Sequence, residues 1–259
     1  MTPLPLDLPS TARRLPRRSR SGGGQVVALG DASPAARGLA RAAMALDSTA
    51  CAGVITSSLH SRGAVATWDE VLLPVLHGVG DRWRATGRGI EVEHLLSECV
   101  EDGLRAVTRA LARPLNARPV LLAALEPEAH RLALHALAAA LAERQVGVRM
   151  LGPNLPPAAL AAAAARTGPA VVFLWAQGTA APSSRPAPGR GGRPAGARQA
   201  GRAQLAALPP TRPGSTLLLG GPGWPDHPGL PPSAQILKDL TSAVDAVTAA
   251  VGLDGSPPR

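Results

Sequence analysis

Aromatic side chains are nearly absent from this sequence of 259 residues. They make up 2% of the chain, with no Tyr, one Phe and four Trp, although hydrophobic residues of all kinds reach 45%. The core must therefore consist mainly of Ala, Leu and Val, which favour close-packed helices and short buried strands. With so few aromatic residues, each Trp needs a specific explanation.

Cysteine is also scarce, with two residues, Cys51 and Cys99. Both lie on apolar stripes of predicted helices, which is typical of small buried side chains in a reducing compartment rather than of a disulfide. No apolar run approaches the length of a membrane span. The segment QVVALG is too short to be the apolar region of an export signal. We therefore expect a soluble, cytoplasmic protein that does not bind a membrane.

Lysine is represented by Lys238 alone, so almost all of the positive charge in the net value of +9 comes from arginine. Five Arg and one Asp lie in residues 1–25, and six Arg without any acidic residue lie in residues 185–213. The rest of the chain is close to neutral, so the basic residues do not pattern one face of a folded domain. We interpret the two stretches as solvated, disordered segments, with non-specific binding to an acidic polymer as the alternative.

Several cofactor and catalytic motifs are missing from the sequence. No GxGxxG follows the first predicted strand, which argues against a nicotinamide or flavin nucleotide fold. The chain has neither a P-loop nor a Ser or Cys nucleophile motif of recognisable form, and we expect it not to be an enzyme. Residues 1–30 contain nothing that predicts a recognition helix, so the sequence does not support direct DNA binding.

Four amphipathic segments in residues 31–113 predict a four-helix bundle. Ser33 and Asp47 are placed to cap the first two helices. Thr67 and Glu70 have the spacing of a capping box at the start of the third helix. Because the connections are short, the helices should pack as antiparallel neighbours.

The third and fourth predicted helices meet at a short Gly/Arg turn. Pro74 should kink the third helix, whose apolar stripe ends at Trp83. The fourth helix is predicted over about residues 92–111, and it begins with Glu93 and His94. Three large or ionisable side chains therefore converge on one turn. Ordinary core packing for Trp83 and a solvated helix N-terminus for the other two are the structural alternatives.

The pattern changes to strand–helix alternation in residues 117–252, which predicts a doubly wound, flavodoxin-type parallel sheet of about four or five strands. Four short apolar runs are the predicted strands, namely 120–125, 146–152, 170–176 and 215–221. Residues 232–252 are predicted to form a closing helix. Residues 1–30, 178–213 and 253–259 are interpreted as a lead-in, a low-complexity insertion and a tail. The predicted fold is a four-helix bundle followed by a Rossmann-like α/β domain.

Doubly wound sheets bind ligands beyond the carboxyl ends of their strands, so the EPEAH segment after the first strand is the leading candidate site. A neutral imidazole at His130 could bind a metal, and Glu128 could orient its other ring nitrogen. His135 is five residues further on and does not share the same helix side, so no second zinc ligand is evident. For a single His at the start of a helix, a surface or capping role is the alternative.

Two separated motifs together resemble the cobalamin-binding module of a known family. VLLPVLHGVGDRWRATGRGIEVEHLLSE is similar to that family's bundle signature. EAHRLALHALAAALAERQVGVRMLGPNLPPAAL is similar to its E-x-H loop, helix and continuation. The family is that of the light-responsive, adenosylcobalamin-dependent transcriptional regulators of the MerR superfamily. The resemblance covers residues 33–177 and, less closely, residues 215–251.

The resemblance implies roles on the lower side of the cofactor. His130 would be the lower axial ligand of cobalt in place of the cofactor's own dimethylbenzimidazole, with Glu128 hydrogen-bonded to it. Cobalt(III) accepts a nitrogen donor readily. A glycine-rich turn after the fourth strand, which on its own would equally be a tight turn, matches the region that accommodates the nucleotide tail. Its glycines are Gly220, Gly221 and Gly223.

The resemblance also implies roles on the upper side. Trp83, Glu93 and His94 would cover the upper face of the corrin and pack around the adenosyl group. In the family, light breaks the Co–C bond, the adenosyl group leaves and the bundle moves. His94 is the residue expected to bind cobalt after that movement. Adenosylcobalamin is therefore the cofactor that the resemblance implies, with methylcobalamin as the alternative.

Several positions depart from the family pattern. Ala133 stands where a Gly is usual, three residues after the histidine. The segment FLWAQ lacks the Ser that usually contacts the nucleotide tail, and Trp175 within it would narrow the tail pocket. The insertion after Gln177 is atypical, and residues 1–30 cannot form the winged helix-turn-helix of full-length relatives.

We therefore expect a cobalamin-binding sensor that changes shape or homo-oligomeric state when its upper ligand is lost. Regulation of transcription would need a DNA-binding partner chain or an N-terminal domain outside this sequence. A corrinoid carrier for methyl transfer is the first alternative. A degenerate module retained as an interaction scaffold is the second alternative, favoured by the missing Ser and Gly.

Overall fold

The computed structural model describes residues 29–177, 214–224 and 230–253. The expectations for the lead-in, the insertion and the tail lie outside these ranges, except at residues 29, 30 and 253. None of the helices in the described ranges combines the length and the apolar character that crossing a membrane requires.

The first part of the described chain consists of four α-helices. They are α1 (Pro34–Met44), α2 (Ser48–Thr67), α3 (Leu73–Thr86) and α4 (Ile90–Ala110), and one π-helical turn (Trp68–Leu72) joins α2 to α3. The two predicted caps are confirmed, because Ser33 Oγ accepts from the Ala36 N–H at 3.2 Å and Asp47 Oδ1 accepts from the Ala50 N–H at 2.9 Å. Each cap satisfies a backbone donor that the first helical turn leaves free.

The predicted capping box at Thr67 is wrong. Thr67 has helical backbone angles and makes no capping hydrogen bond, so the helix continues through it. The break lies at Gly63, whose φ of 77° and ψ of 173° are non-helical. The turn restarts at Ala64, whose N–H donates to both oxygens of Glu143, at 2.9 and 3.0 Å. A glycine adopts this positive φ without steric cost, and the cap comes from a distant helix.

The irregularity predicted for Pro74 takes the form of the π-helical turn that ends two residues before it. Proline has no N–H to donate to the carbonyl four residues earlier, which is that of Glu70. Ser33 Oγ donates to this carbonyl at 3.2 Å. The cap of α1 therefore also holds the distorted turn between α2 and α3, and one hydroxyl ties two parts of the bundle together.

The second part is a five-stranded sheet in which every neighbouring pair is parallel. Its strands are β1 (Val120–Leu125), β2 (Val148–Leu155), β3 (Val171–Trp175), β4 (Thr216–Gly220) and β5 (Gln235–Leu237). Their order is β2-β1-β3-β4-β5, which is the flavodoxin-type order. This confirms the predicted doubly wound sheet, and β1 and β3 lie side by side at its centre.

The closing helix is shorter than predicted. Only α7 (Leu240–Ala250) is helical, while Gln235–Leu237 pairs with β4 as β5. Asp239 ends the extended segment, because its carboxylate accepts from the Ser242 N–H at 2.7 Å and its own N–H donates to Ser242 Oγ at 3.3 Å. This capping box fixes the start of α7 and prevents the helix from extending back through the strand.

Helices cover both faces of the sheet. α5 (Leu132–Glu143) lies between the sheet and the four N-terminal helices, and residues 134–142 are all buried. α6 (Pro157–Thr167) packs against the opposite face. The small side chains of α5, LALHALAAALAE, allow it to be enclosed on every side. As a result, α5 connects the loop after β1 directly to the helical region.

Candidate functional site

The loop after β1 is fixed by backbone hydrogen bonds to its neighbours. The N–H of Glu126 donates to the Leu155 carbonyl at 3.2 Å, at the end of β2. The Glu128 carbonyl accepts from the Asn154 N–H at 2.9 Å. The loop is therefore held at the carboxyl edge of the sheet, where doubly wound folds bind ligands.

Glu128 and His130 form a tight pair within this loop. One oxygen of Glu128 accepts from the backbone N–H of His130 at 2.9 Å and lies 2.5 Å from His130 Nδ1. The other oxygen accepts from the Gln177 N–H at 2.7 Å, just beyond β3. Burial opposes ionisation of Glu128, but these hydrogen bonds outweigh it and lower the pKa of the carboxyl group. Glu128 is therefore a fixed carboxylate that binds three donors.

The Glu128 carboxylate determines how His130 presents its ring. The hydrogen bond that His130 donates to Glu128 raises the pKa of His130, although partial burial opposes it. A proton held at Nδ1 by a carboxylate leaves the lone pair of Nε2 available and makes the ring a stronger ligand. The His130 side chain is 65% exposed, so Nε2 is accessible to a ligand.

Within the described ranges, no three His, Cys, Asp or Glu side chains are grouped so that they could hold a metal ion between them. A zinc site of protein ligands normally needs at least three. The Glu128–His130 pair offers one nitrogen only. A metal held by this pair would therefore need most of its ligands from another source.

The turn between α3 and α4 lies near the same edge of the sheet. Two glycines with positive φ, Gly87 at 65° and Gly89 at 99°, end one helix and begin the next. Glu93 lies in the first turn of α4, and its negative charge contributes to the raised pKa of His130. Glu93 and the His130 loop are therefore near each other in the fold, although they are far apart in sequence.

The other two residues predicted at this turn lie on its two helices, Trp83 on α3 and His94 on α4. Trp83 is half-buried in the last turns of α3, and its carbonyl accepts from the Gly87 N–H at 2.7 Å. The His94 side chain is 74% exposed, and its Nε2 lies 3.6 Å from a Glu93 oxygen. The turn therefore has a half-buried indole at the end of α3 and an exposed imidazole near the start of α4.

The predicted glycine-rich turn is packed against the protein itself. A Cβ on Gly220 would lie 2.4 Å from Cζ of Phe173. Gly221 has a φ of 96°, and a Cβ there would lie 2.3 Å from the Ala176 carbonyl oxygen. The N–H of Gly223 donates to that same carbonyl at 2.9 Å. Contacts within the chain itself therefore explain why positions 220 and 221 must be glycine.

Trp224 is a buried residue beside this turn that the sequence analysis did not single out. Its indole N–H donates to the Gly220 carbonyl at 2.8 Å, and its ring packs with side chains of β1, β3 and β4 on the α6 face. The sequence does contain a signal for it. Aromatic residues are so scarce that a Trp just after a predicted strand is expected to have a structural role.

A buried carboxylate behind the His130 loop was also missed. Glu101 of α4 is 4% exposed and binds the guanidinium of Arg131, the residue that follows His130. It also binds Arg105 at 2.7 Å and lies 3.5 Å from Nε2 of His135. The spacing of Glu101 and Arg105 is visible in the sequence, but nothing there indicates that Glu101 meets Arg131.

Comparison with known proteins relates the helical region of the chain to B12 binding. Residues 35–108 match the family model described as a B12 binding domain. Over 118 residues the chain is 36% identical to the HTH-type transcriptional repressor CarH of Myxococcus xanthus. This similarity covers 44% of the present chain and 38% of that relative, so the chain spans well under half of the relative's length.

The fold is similar to that of a solved corrinoid protein. The monomethylamine corrinoid protein of Methanosarcina barkeri gives a TM-score of 0.59, with 82% of this chain and 95% of that chain covered. Sequence identity over this match is 14%, so the likeness concerns the fold alone. It includes both the helical region and the parallel sheet.

Proposed function

We propose that the chain binds a corrinoid between the α3–α4 turn and the carboxyl edge of the sheet, and the match of residues 35–108 to a B12 binding domain supports this. His130 Nε2 would be the protein's ligand to cobalt. The observation that carries this proposal is the Glu128–His130 pair, in which the Nδ1 nitrogen lies against the carboxylate while most of the His130 side chain is exposed. In this arrangement the helices of residues 31–113 form a lid over the sheet domain of residues 117–252.

The donor set supports a corrin rather than a free ion. When bound, the corrin supplies cobalt with four equatorial nitrogens and, in adenosylcobalamin, with a light-sensitive bond to carbon. A single imidazole then suffices on the protein side. Glu128 would hold the proton on Nδ1, and its hydrogen bond to the Gln177 N–H would fix the position of the carboxylate.

The turn above the sheet edge would cover the opposite face of the cofactor. Trp83 would exclude water there, and the exposed imidazole of His94 would offer a second nitrogen ligand to the metal. Glu93 can accept a hydrogen bond, as it already does from Ser97 Oγ at 3.2 Å. Such a covered upper face suits a cofactor that stays bound, so we propose that the chain is not an enzyme.

We propose that the bound chain acts as a sensory component in the regulation of transcription. The relative with 36% identity is a transcriptional repressor, which supports this role. The response would be a change of shape or homo-oligomeric state when the upper ligand is lost. Contact with DNA would be made by a partner chain or by a region that this sequence does not contain.

Two other functions remain as alternatives. A corrinoid carrier for methyl transfer agrees with the fold likeness to the monomethylamine corrinoid protein, but a carrier must expose its upper face to partner enzymes. Trp83, Glu93 and His94 favour a covered face. A scaffold without cofactor is the other alternative, and the packed glycine turn at Gly220 and Gly221 is the observation in its favour.

The direct test is binding of adenosylcobalamin in the dark, followed by absorbance. The wild-type chain should give a red complex whose spectrum is that of cobalt with a lower nitrogen ligand. His130→Ala should give the spectrum without that ligand or no complex at all. His77→Ala, at an exposed position of α3, is the matched control and should behave as wild type. Identical spectra for His130→Ala and wild type would disprove the assignment.

Illumination separates the sensor from the carrier. A sensor loaded with adenosylcobalamin should change both its absorbance and its elution volume after exposure to light. A carrier loaded with the same cofactor should lose the upper ligand without any change of assembly. Unchanged elution after complete loss of the adenosyl absorbance would therefore favour the carrier.

A further inference from the structure

Two aromatic residues of β3, Phe173 in the middle of the strand and Trp175 at its carboxyl end, lie beside the last residue of β4 and the turn after it. Phe173 and Trp175 are two residues apart in the strand, so both side chains point to the face of the sheet that α5 and α7 cover. Phe173 is buried against Gly220, and a Cβ on Gly221 would lie 3.1 Å from Cε3 of Trp175. The sole Phe of the chain and one of its four Trp therefore lie at the same place.

Trp175 is held there by the fit of its ring. Its indole N–H is buried and has no hydrogen-bond partner among the described residues. A buried donor without a partner is unfavourable, so packing must outweigh that cost. The position is close to the proposed ligand, because Gln177, two residues further on, donates its N–H to Glu128.

Cobalamin carries its own benzimidazole on a nucleotide attached to the corrin ring. His130 and that base would compete for the same position on cobalt, so His130 could bind only if the base left the metal. A displaced base would then need space on the side of the corrin that faces His130, and Trp175 lies at the same carboxyl edge of the sheet as the His130 loop. Benzimidazole and indole are both fused bicyclic rings of nearly equal size.

We propose that Trp175 and Phe173 fill the space that a displaced lower base would need, so that the site selects corrinoids with a small or absent lower base over cobalamin. The inference rests on the proposed role of His130 and narrows the class of ligand. Ala133, in the first turn of α5, adds a side chain to the same core. Cobalamin would still bind, but it would have to leave its base in solvent or displace the Trp175 ring.

The test compares two ligands that differ only in the nucleotide. Adenosylcobinamide has the corrin ring and the adenosyl group of adenosylcobalamin but lacks the lower base. Both are titrated into the full chain in the dark, and dissociation constants are measured by absorbance and by equilibrium dialysis. We expect the wild-type chain to bind the cobinamide about tenfold more tightly, or better.

Two substitutions test whether the Trp175 ring causes the preference for cobinamide over cobalamin. Trp175→Ser should tighten cobalamin binding about tenfold and change cobinamide binding less than about twofold. Trp175→Phe retains most of the aromatic volume and should keep the wild-type preference. Circular dichroism establishes that each variant is folded, and the wild-type ratio tests the proposal without any substitution.

The outcomes separate this inference from the proposed function. Cobalamin binding as tight as, or tighter than, cobinamide binding in the wild-type chain overturns the inference and leaves His130 ligation intact. An unchanged ratio in folded Trp175→Ser overturns the assignment to Trp175. If the wild-type chain binds neither ligand, the proposed function itself is wrong, and the inference is wrong with it.

Discussion

Glu101 on α4 binds Arg131, the residue that directly follows the proposed cobalt ligand. The carboxylate is almost completely buried and also binds Arg105 of its own helix. Because Glu93 and His94 lie near the start of α4, this ion pair joins the helix that carries them to the loop of His130. A displacement of the loop would therefore be transmitted to α4, which is one of the helices of the proposed lid.

Removal of the Glu101 carboxylate should weaken the contact between the helical region and the sheet. Glu101→Ala leaves two guanidinium groups without their buried partner, and we expect a loss of about 2–3 kcal/mol in the free energy of unfolding. The loss is not larger because both guanidinium groups are partly exposed, and solvent screens their charge. Urea denaturation of the cofactor-free chain measures it.

Glu98→Ala is the matched control for that substitution. Glu98 pairs with the same Arg131 at 3.3 Å, but its side chain is 71% exposed. Its removal should cost less than about 1 kcal/mol. Equal losses for the two variants would show that burial of Glu101 contributes nothing.

The contact between Glu143 and Ala64 should stabilise the break in the second helix. Glu143→Ala removes the acceptor of the Ala64 N–H, and we expect a loss of about 1 kcal/mol, as for an ordinary helix cap. Glu70→Ala removes a carboxylate that pairs with Arg62 at the surface, so it should cost less. Thermal unfolding of both variants provides the comparison, and a larger loss for Glu70→Ala would contradict the capping role.

Much of the helical region could be predicted because its signals are local. Ser33 and Asp47 lie three residues from the N–H groups that they cap, and that spacing is visible in the sequence. The break at Gly63 was missed because its cap is Glu143, 79 residues away. Thr67 and Glu70 offered a local pattern that the tertiary contact overrode.

In the sheet and the site, too, features with local sequence signals could be predicted and features set by distant contacts could not. The apolar runs predicted the central strands, but Gln235–Leu237 is too short for its periodicity to distinguish a strand from a helix. At the site, the two-residue spacing of Glu128 and His130 indicated their hydrogen bond. The bond from Gln177 to Glu128 depends on β1 and β3 being neighbours, which no local pattern reveals.

Acid should destabilise the cofactor-free chain through His135. Burial lowers the pKa of this residue, and the nearby Arg105 and Arg131 lower it further, although Glu101 opposes them. A base whose pKa is lower in the folded than in the unfolded state binds fewer protons when folded. Its contribution to stability is therefore complete above the unfolded pKa, about 6.5, and is lost as the pH falls below it.

The measurement is the free energy of unfolding between about pH 7 and 5. His135→Gln removes the titrating ring, so its stability should fall less steeply with acid than that of the wild-type chain. His77→Gln, at an exposed position, should keep the wild-type slope. A slope for His135→Gln equal to that of wild type would show that His135 does not cause the acid sensitivity.

The bond between His130 and cobalt can be observed directly by electron paramagnetic resonance. Cobinamide in the cobalt(II) state has no lower base of its own, so any nitrogen splitting of the cobalt lines must come from the protein. With the unlabelled His94→Ala chain, in which the other candidate imidazole is removed, we predict a three-line splitting from one nitrogen. It becomes two lines in protein labelled with nitrogen-15 histidine and is lost when His130→Ala is added. A splitting that is absent from the His94→Ala complex, or that persists after His130→Ala is added to it, would contradict the account.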